Sequence, residues 1–499
     1  MCFRERRSRL QARALAGAAA LALIFAASRA DATPIDDPFV AGMSFSGPTA
    51  GDLGAIYWNP AALGLMRGFQ LMVAGTARWS RVTVSRAPID PTTGALGGTP
   101  TGSATATDFR QPFTWPPGPG AYVALGYGSD RFTLAFAAYM PYLEQIRFPT
   151  SPTGNEPTRY QMLSLDLRNL ALVPALAIRF GNDFRVGLSS GFLFSTGSLS
   201  FAEDTGLDSG MTGAENPAAA ARYNINSGQS IGDASFSLTL GGGIYYRHKN
   251  LELGFSYQSH PLAAHVSNVE VTADQTTVTL PPQQGGGLVT CGGGQSSRCV
   301  FGDVSYRLPD VVIGGVTWHF GPGLQLDVMA RWLWTHLQDK IDIRLVGPTL
   351  EADGLPQHIV LWRGFHDAVD TRARVAYWYR ERLRVGAELR VETGAVDENA
   401  INAAAVDGLQ IEPVVLAELH LGRRFWLGAG YGLTIMPGVT VTDSIFDPTA
   451  ASACANAGGD LADPKSGCQA RANGTARPTA NGTYTKFVQD FGLTFTFRL

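Results

Sequence analysis

The sequence is short of four things, and each shortage removes a class of protein. Charged residues make up only 16% of the 499 positions, and the net charge of −3 offers no basic stripe for nucleic acid. Past the first thirty or so residues there is no run of about 20 apolar residues, so a bundle of membrane-spanning helices is excluded. Histidine numbers 8 and cysteine five. No three of them fall at ligand spacing, so neither a metal nor a cofactor is expected. The chain also lacks a catalytic constellation. Gly187-Leu188-Ser189-Ser190-Gly191 has the G-x-S-x-G spacing, but it lies inside an alternating strand rather than at a strand-to-helix turn, so an enzyme is not expected.

What is present begins with a leader. Arg4, Arg6, Arg7, Arg9 and Arg13 precede the apolar stretch Ala14 to Ala27, and Ala30-Asp31-Ala32 supplies a small-residue cleavage site. Residues 1–32 therefore read as a signal peptide, with the mature chain beginning at Thr33 or Asp31. Export places the remaining cysteines in an oxidising compartment. They form two local pairs, Cys291 with Cys299 and Cys454 with Cys468, and loop disulfides are expected.

From Gly68 onward the dominant signal is alternation of period 2. Phe236, Leu238, Leu240, Gly242, Ile244 and Tyr246 share one face, as do Phe491, Leu493, Phe495, Phe497 and Leu499. Fourteen such strands are predicted, over 69–86, 120–128, 131–140, 160–180, 184–200, 234–247, 251–261, 304–319, 324–345, 367–379, 383–392, 409–421, 425–437 and 484–499. Short connections alternate strictly with long ones between them. That is the order of periplasmic turns and external loops in an even-stranded outer-membrane barrel. A helix is expected at Asn216 to Tyr223 in the third long connection, and a hairpin extension over Val269 to Leu280.

Lipid satisfies no backbone N–H or C=O, so the strands must close without a free edge. The expected fold is an all-β transmembrane barrel of 14 antiparallel strands over 68–499, in a Gram-negative outer membrane. Trp318, Trp332, Trp334, Tyr377 and Tyr379 fall on the lipid-facing side. Arg331, Arg372, Arg374 and Glu388 fall on the luminal side with other charges of both signs. They are expected to buttress whatever fills the lumen, or alternatively to contact a ligand. A barrel of this size is too wide to be filled by its own side chains. Residues 33–67 are left over as a plug of short helices. Its capping signal is Asn59-Pro60-Ala61, since Asn accepts an orphan backbone N–H and Pro suits a first helical turn. On the third strand, Phe136, Tyr139 and Pro141 mark either a strand end or a kink, because proline cannot donate to a ladder.

Four stretches carry a resemblance to a known family. They are Trp58 to Leu63; Asn169 to Ala177 with Arg185 to Ser189; Leu308-Pro309-Asp310 through Arg331-Trp332; and Phe365 to Val396 with Tyr377-Trp378-Tyr379. Taken in order, they resemble the FadL/TodX outer-membrane transporters of hydrophobic compounds. The resemblance implies passive diffusion of long-chain fatty acids or aromatic hydrocarbons through a hatch-gated barrel. Lateral release into outer-membrane lipid would follow, past a kinked third strand. It further implies a monomer inserted by the barrel-assembly machinery. A water-filled diffusion porin, or an adhesin or scaffold working through its loops, stands as the alternative. The third external loop here, Phe201 to Asp233, is small and polar, and the fourth carries the Cys291/Cys299 pair, so an apolar capture groove like that of the fatty-acid members is not expected.

Overall fold

The computed structural model describes residues 43, 45–87, 102–110, 120–149, 157–159, 161–204, 220–226, 235–259, 264–274, 300–321, 323–338, 340–346, 358–442, 444, 446 and 480–499. The expected signal peptide lies outside these residues. So do Cys291, Cys299, Cys454 and Cys468, and with them both expected disulfides, Cys291 with Cys299 and Cys454 with Cys468.

Twenty strands form one sheet. In chain order they are β1 (Gly68–Arg86), β2 (Gly102–Arg110), β3 (Tyr122–Gly128), β4 (Phe132–Arg147), β5 (Ser164–Phe180), β6 (Phe184–Asp204) and β7 (Ala220–Asn226). Then come β8 (Ser235–His248), β9 (Leu251–Gln258), β10 (Ala264–Asp274), β11 (Val300–Tyr306), β12 (Val311–Phe320) and β13 (Leu324–Leu333). The last are β14 (Lys340–Val346), β15 (His358–Trp362), β16 (Ala368–Tyr379), β17 (Leu383–Glu392), β18 (Gln410–His420), β19 (Phe425–Val441) and β20 (Gly482–Arg498).

Fourteen of them close a ring, all antiparallel: β1-β3-β4-β5-β6-β8-β9-β12-β13-β16-β17-β18-β19-β20 and back to β1. These correspond one to one with the fourteen predicted strands. The other six extend the wall on the side of the long connections. There β2 pairs with the upper part of β1, while β7, β10, β11, β14 and β15 continue upward from β6 as a second tier. The hairpin extension expected from Val269 begins within β10, and its remainder, 275–280, lies outside the described residues.

Four boundaries depart from the sequence expectation. The predicted strand 304–319 breaks at 307–310, where Pro309 cannot donate, and its partner 324–345 breaks at the 3-10 turn Thr335–Gln338. The helix expected at Asn216 to Tyr223 is overturned for its C-terminal part. Ala220–Asn226 is a strand held between β6 and β10, because an open edge beside it outweighs weak local helical preference. Nor does the third wall strand end at Pro141. It continues to Arg147 across a register shift between Tyr139 and Tyr142.

Alternation sorts the side chains as a bilayer requires. Leu125, Tyr127, Leu134, Leu188, Leu240, Phe255, Val415 and Leu493 all face outward and are exposed, as are Trp318, Trp332, Tyr377 and Tyr379. No described helix is long and apolar enough to cross a membrane. The lumen is divided. An apolar cluster runs from Leu53, Ile56, Leu63 and Met66 of the arm up past Tyr122, Tyr139 and Leu193 to Phe365, Ile401, Val406 and Tyr484. Charged side chains line the opposite flank, on β13, β16, β17 and β18.

Candidate functional site: the hatch and its seat

The arm folds as two short turns in series, an α-helical turn Ala55–Trp58 and a 3-10 turn Pro60–Leu65. Asn59 sits between them in extended conformation and joins both. Its Oδ1 accepts from the Ala61 N–H at 3.1 Å, the capping bond that the Asn-Pro-Ala signal predicts. Its Nδ2 donates to Pro48 O at 2.8 Å and to Ile244 O on β8 at 3.0 Å. One fully buried amide thus closes the arm on itself and pins it to the wall. Replacing Asn59 with Ala should cost about 2–4 kcal/mol of hatch docking, from one lost cap and two buried acceptors left unpaired. The check is single-channel recording: brief openings should be more frequent in N59A than in the parent.

The wall makes room with glycine. A Cβ at Gly243 would stand 2.1 Å from Asn59 Oδ1, one at Gly254 2.2 Å from Pro48 O, and one at Gly187 2.2 Å from the Ala61 N. At Gly315 it would meet Pro48 Cγ at 2.4 Å, and at Gly386 the Phe45 ring at 2.7 Å. Gly187 is the cross-strand partner of Gly243, and Gly254 of Gly315. The seat is therefore a belt of small luminal positions on the adjacent strands β6, β8, β9 and β12, with Gly386 on β17 as a separate contact.

Charge fixes the hatch from two sides. On the charged flank, Arg374 bonds Asp327 at 2.8 Å and donates to the carbonyls of Ser46 and Phe45, both at 3.1 Å. Asp327 also accepts from Thr317 at 2.5 Å, and the Thr317 hydroxyl lies 2.6 Å from that of Thr49. Asp370 is shared by Arg331 at 2.6 Å, Arg390 at 2.9 Å and Arg372 at 3.1 Å. Glu388 lies 3.6 Å from Arg374 and 3.9 Å from Arg372. Arg390 also pairs with Glu412 at 3.1 Å and with Glu392. Trp58 of the hatch packs its ring against the guanidiniums of Arg372 (4.9 Å) and Arg331 (5.6 Å), and Arg331 reaches Tyr57 Oη at 3.3 Å. On the other flank, Arg179 donates to the carbonyls of Gly64, Met66 and Ser129, and Arg185 to Gly64 O at 3.2 Å. Cations at the C-terminal end of a turn meet its unpaired carbonyls and the negative end of its dipole.

The remaining sequence-nominated residues cluster at the third wall strand. Tyr139 is buried in the lumen, stacked on Tyr122 at 5.3 Å and edge-on to Tyr57 of the hatch at 5.7 Å. Tyr122 donates to Leu53 O at 2.7 Å. Phe136 points the other way and is exposed on the lipid face. Pro141 is buried at the bulge. Among the described residues, the pairing of β3 with β4 ends at Tyr122 and Tyr139, while β4 runs on to Arg147 paired with β5 alone.

Residues 24–407 match the family described as "Outer membrane protein transport protein (OMPP1/FadL/TodX)". The chain belongs to this family. It is therefore an outer-membrane transport protein, and the short arm is the hatch of an OMPP1/FadL/TodX barrel. Solved structures share the fold at low identity. A Pseudomonas aeruginosa FadL homologue superposes with a TM-score of 0.69 at 14% identity, covering 94% of this chain and 99% of its own. The Pseudomonas putida toluene transporter TodX gives 0.59 at 10% identity, with 92% and 98% covered. The Ralstonia pickettii toluene transporter TbuX gives 0.57 at 11% identity, with 93% and 98% covered. No curated protein sequence matches the chain.

Three features of the site escape a reading of motifs. The glycine belt was visible only as glycines scattered on luminal positions, and strand register is needed to see that they adjoin. Arg179 and Arg185 carried the signal of inward-facing cations near a short turn. The connection 393–408 reads as an external loop, yet Ala395, Val396, Ile401, Ala403 and Asp407 are buried. It turns into the barrel mouth, where Ala403 N–H bonds Gln161 Oε1 at 2.7 Å and Ala395 N–H bonds Asp407 Oδ2 at 2.8 Å. Its run of small apolar residues was the available clue.

Proposed function

We propose that this protein carries hydrophobic compounds by passive diffusion from the external loops, down the apolar luminal cluster, to the hatch. Release is sideways into the membrane, through the upper edge of the third wall strand beside Pro141. The observation that carries this reading is the continuity of the buried apolar cluster from Phe365, Ile401 and Tyr484 near the mouth to Ile56 and Leu63 of the hatch. A diffusion porin would instead need a polar lumen. The bulge at Tyr139/Tyr142 and the end of β3 pairing at Tyr139 support the exit. Tyr57 on Tyr139 and Leu53 under Tyr122 tie the hatch to the two strands that flank it. Between fatty acids and aromatic hydrocarbons, the structure favours the uncharged class. Arg331, Arg372 and Arg374 are engaged with wall carboxylates and hatch carbonyls, and a fatty-acid carboxylate would compete with those partners.

The test is uptake into proteoliposomes of labelled toluene, labelled oleate and a labelled disaccharide. Toluene should equilibrate faster than in protein-free vesicles, oleate less so, and the disaccharide not at all. Fast disaccharide entry would sink the transporter reading in favour of the porin. In Pro141→Val the strand regains an N–H donor, and toluene uptake should fall several-fold with the fold unchanged. Unchanged uptake would remove the lateral exit.

A further inference from the structure

The second wall strand comes in two halves. β2 and β3 run in the same direction and lie end to end along β1, β2 opposite Arg78 to Arg86 and β3 opposite Gly68 to Ala74. Only the lower half is paired on both sides. β3 is held by β1 and by Thr133 to Tyr139 of β4, whereas β2, among the described residues, pairs with β1 alone. Above Tyr139, β4 continues from Tyr142 to Arg147 on β5 alone. Two unpaired edges therefore border one seam, roughly 17 Å long at the rise of a strand. They run antiparallel, because β3 is antiparallel to β4 and β2 keeps the direction of β3.

Both ends of the seam are closed, which makes it an aperture in the wall. Below it, Tyr122 pairs with Tyr139. Above it, Pro157 in the connection after β4 reaches across. Its carbonyl accepts from Arg86 Nη1 at 3.5 Å, and a Cβ at Gly102, the first residue of β2, would stand 3.0 Å from Pro157 Cγ. The outward face sets the depth. Trp79 stands opposite Phe109 and packs edge-on against Phe487 at 5.9 Å, as an aromatic girdle does. Past this level the outward positions turn polar, with Arg81 and Thr83 on β1 and Thr107 and Thr105 on β2. Unpaired N–H and C=O groups are not tolerated in hydrocarbon, but at this level water reaches them.

The luminal side of the seam is apolar. Tyr139, Met140 and Phe148 are buried on the side of β4. On β2 the inward positions are Ala104 and Ala106, 6% and 3% exposed and both part of the apolar luminal cluster. The same rungs of β1 carry larger side chains, Val84 opposite Ala104 and Val82 opposite Ala106. Strands favour branched residues, yet β2 has them only on its outward face. Alanine beside the seam leaves open the space that a valine there would fill.

We propose that this seam is the exit and that Ala104 and Ala106 set its size, passing single-ring hydrocarbons more readily than fused-ring ones. The inference rests on the lateral-release reading above. It adds the second jamb of the opening and the side chains that select there.

The experiment compares uptake of labelled toluene and labelled naphthalene into proteoliposomes holding the parent, A106V, A106F or A106G. A106V should slow naphthalene about tenfold and toluene only about twofold, the scale on which added methyl groups discriminate in an apolar passage. A106F should slow both further, and A106G should raise naphthalene uptake relative to toluene. Where A106F does not fold, A106V still decides, since valine suits a strand. A toluene-to-naphthalene ratio that stays the same in all variants, even with both rates reduced, would overturn the proposal. Pro141→Val separates the two readings. If it slows uptake while the ratio stays fixed across the Ala106 variants, lateral release stands and this selection is overturned. If neither Pro141→Val nor the Ala106 variants alter uptake, both are overturned.

Discussion

Deletion of residues 33–67 is expected to convert a barrel of low ion conductance into an open channel. The wall is a complete ring without the arm: every one of the fourteen strands has both neighbours from the wall itself. Removing the hatch therefore costs no ladder hydrogen bond. It takes away the segment that lies across the lumen between the Gly187–Gly243 and Gly315–Gly386 seats. It also frees Arg179, Arg185 and Arg374 from the carbonyls they hold, and water would replace these. A barrel of fourteen strands approaches the roughly 16–18 at which porins leave an aqueous channel. In planar bilayers the truncated protein should show large, steady single-channel currents, and the intact protein only rare ones. Equal conductance in the two would mean that the hatch does not close the pore. Folding of the truncated barrel is checked separately, by its heat-dependent shift on a gel.

Asp370→Ala is expected to be the most damaging single change in the wall. Asp370 is completely buried and shared by Arg331, Arg372 and Arg390. Without it Arg390 keeps Glu392 and Glu412, and Arg372 keeps Glu388, which it shares with Arg374. Breaking a buried ion network by removing one partner typically costs about 3–5 kcal/mol, because an uncompensated charge stays inside. The effect should reach the hatch, since Arg331 bonds Tyr57 and both Arg331 and Arg372 lie over Trp58. A lower urea midpoint in detergent and increased channel noise should appear together. Asp370→Asn should be milder, as its amide oxygen still accepts. A change below about 1 kcal/mol in the alanine variant would mean that the flank is not a buttress.

The two predictions rest on different kinds of information. Strand number, strand order and the lipid-facing side were legible from Gly68 onward because membrane strands obey a local rule: each alternate residue meets lipid, whatever its neighbours are. The alternation of short and long connections then set the handedness of entry and exit without reference to any contact. The capping role of Asn59 was equally local, since a cap involves residues within one turn. What sequence could not supply was cross-strand register. Register alone brings Gly243 beside Gly187, places Gly254 beside Gly315, and aims Nδ2 of Asn59 at Ile244.

The same holds for charge. Alternation put Arg331, Arg372, Arg374 and Glu388 on the luminal face, but a sequence does not say which carboxylate meets which guanidinium. Only the closed ring brings Asp370 within reach of arginines from three strands. Pro141 shows the limit most plainly. Its missing N–H permits either a strand end or a bulge, and the choice fell to β5, whose unpaired edge from Ser164 to Asn169 takes up the continuation of β4. By itself the sequence determined a fourteen-strand membrane wall with an arm left inside it. The tertiary structure decided where the arm sits, because the seat is made of small residues and charges from strands far apart in the chain.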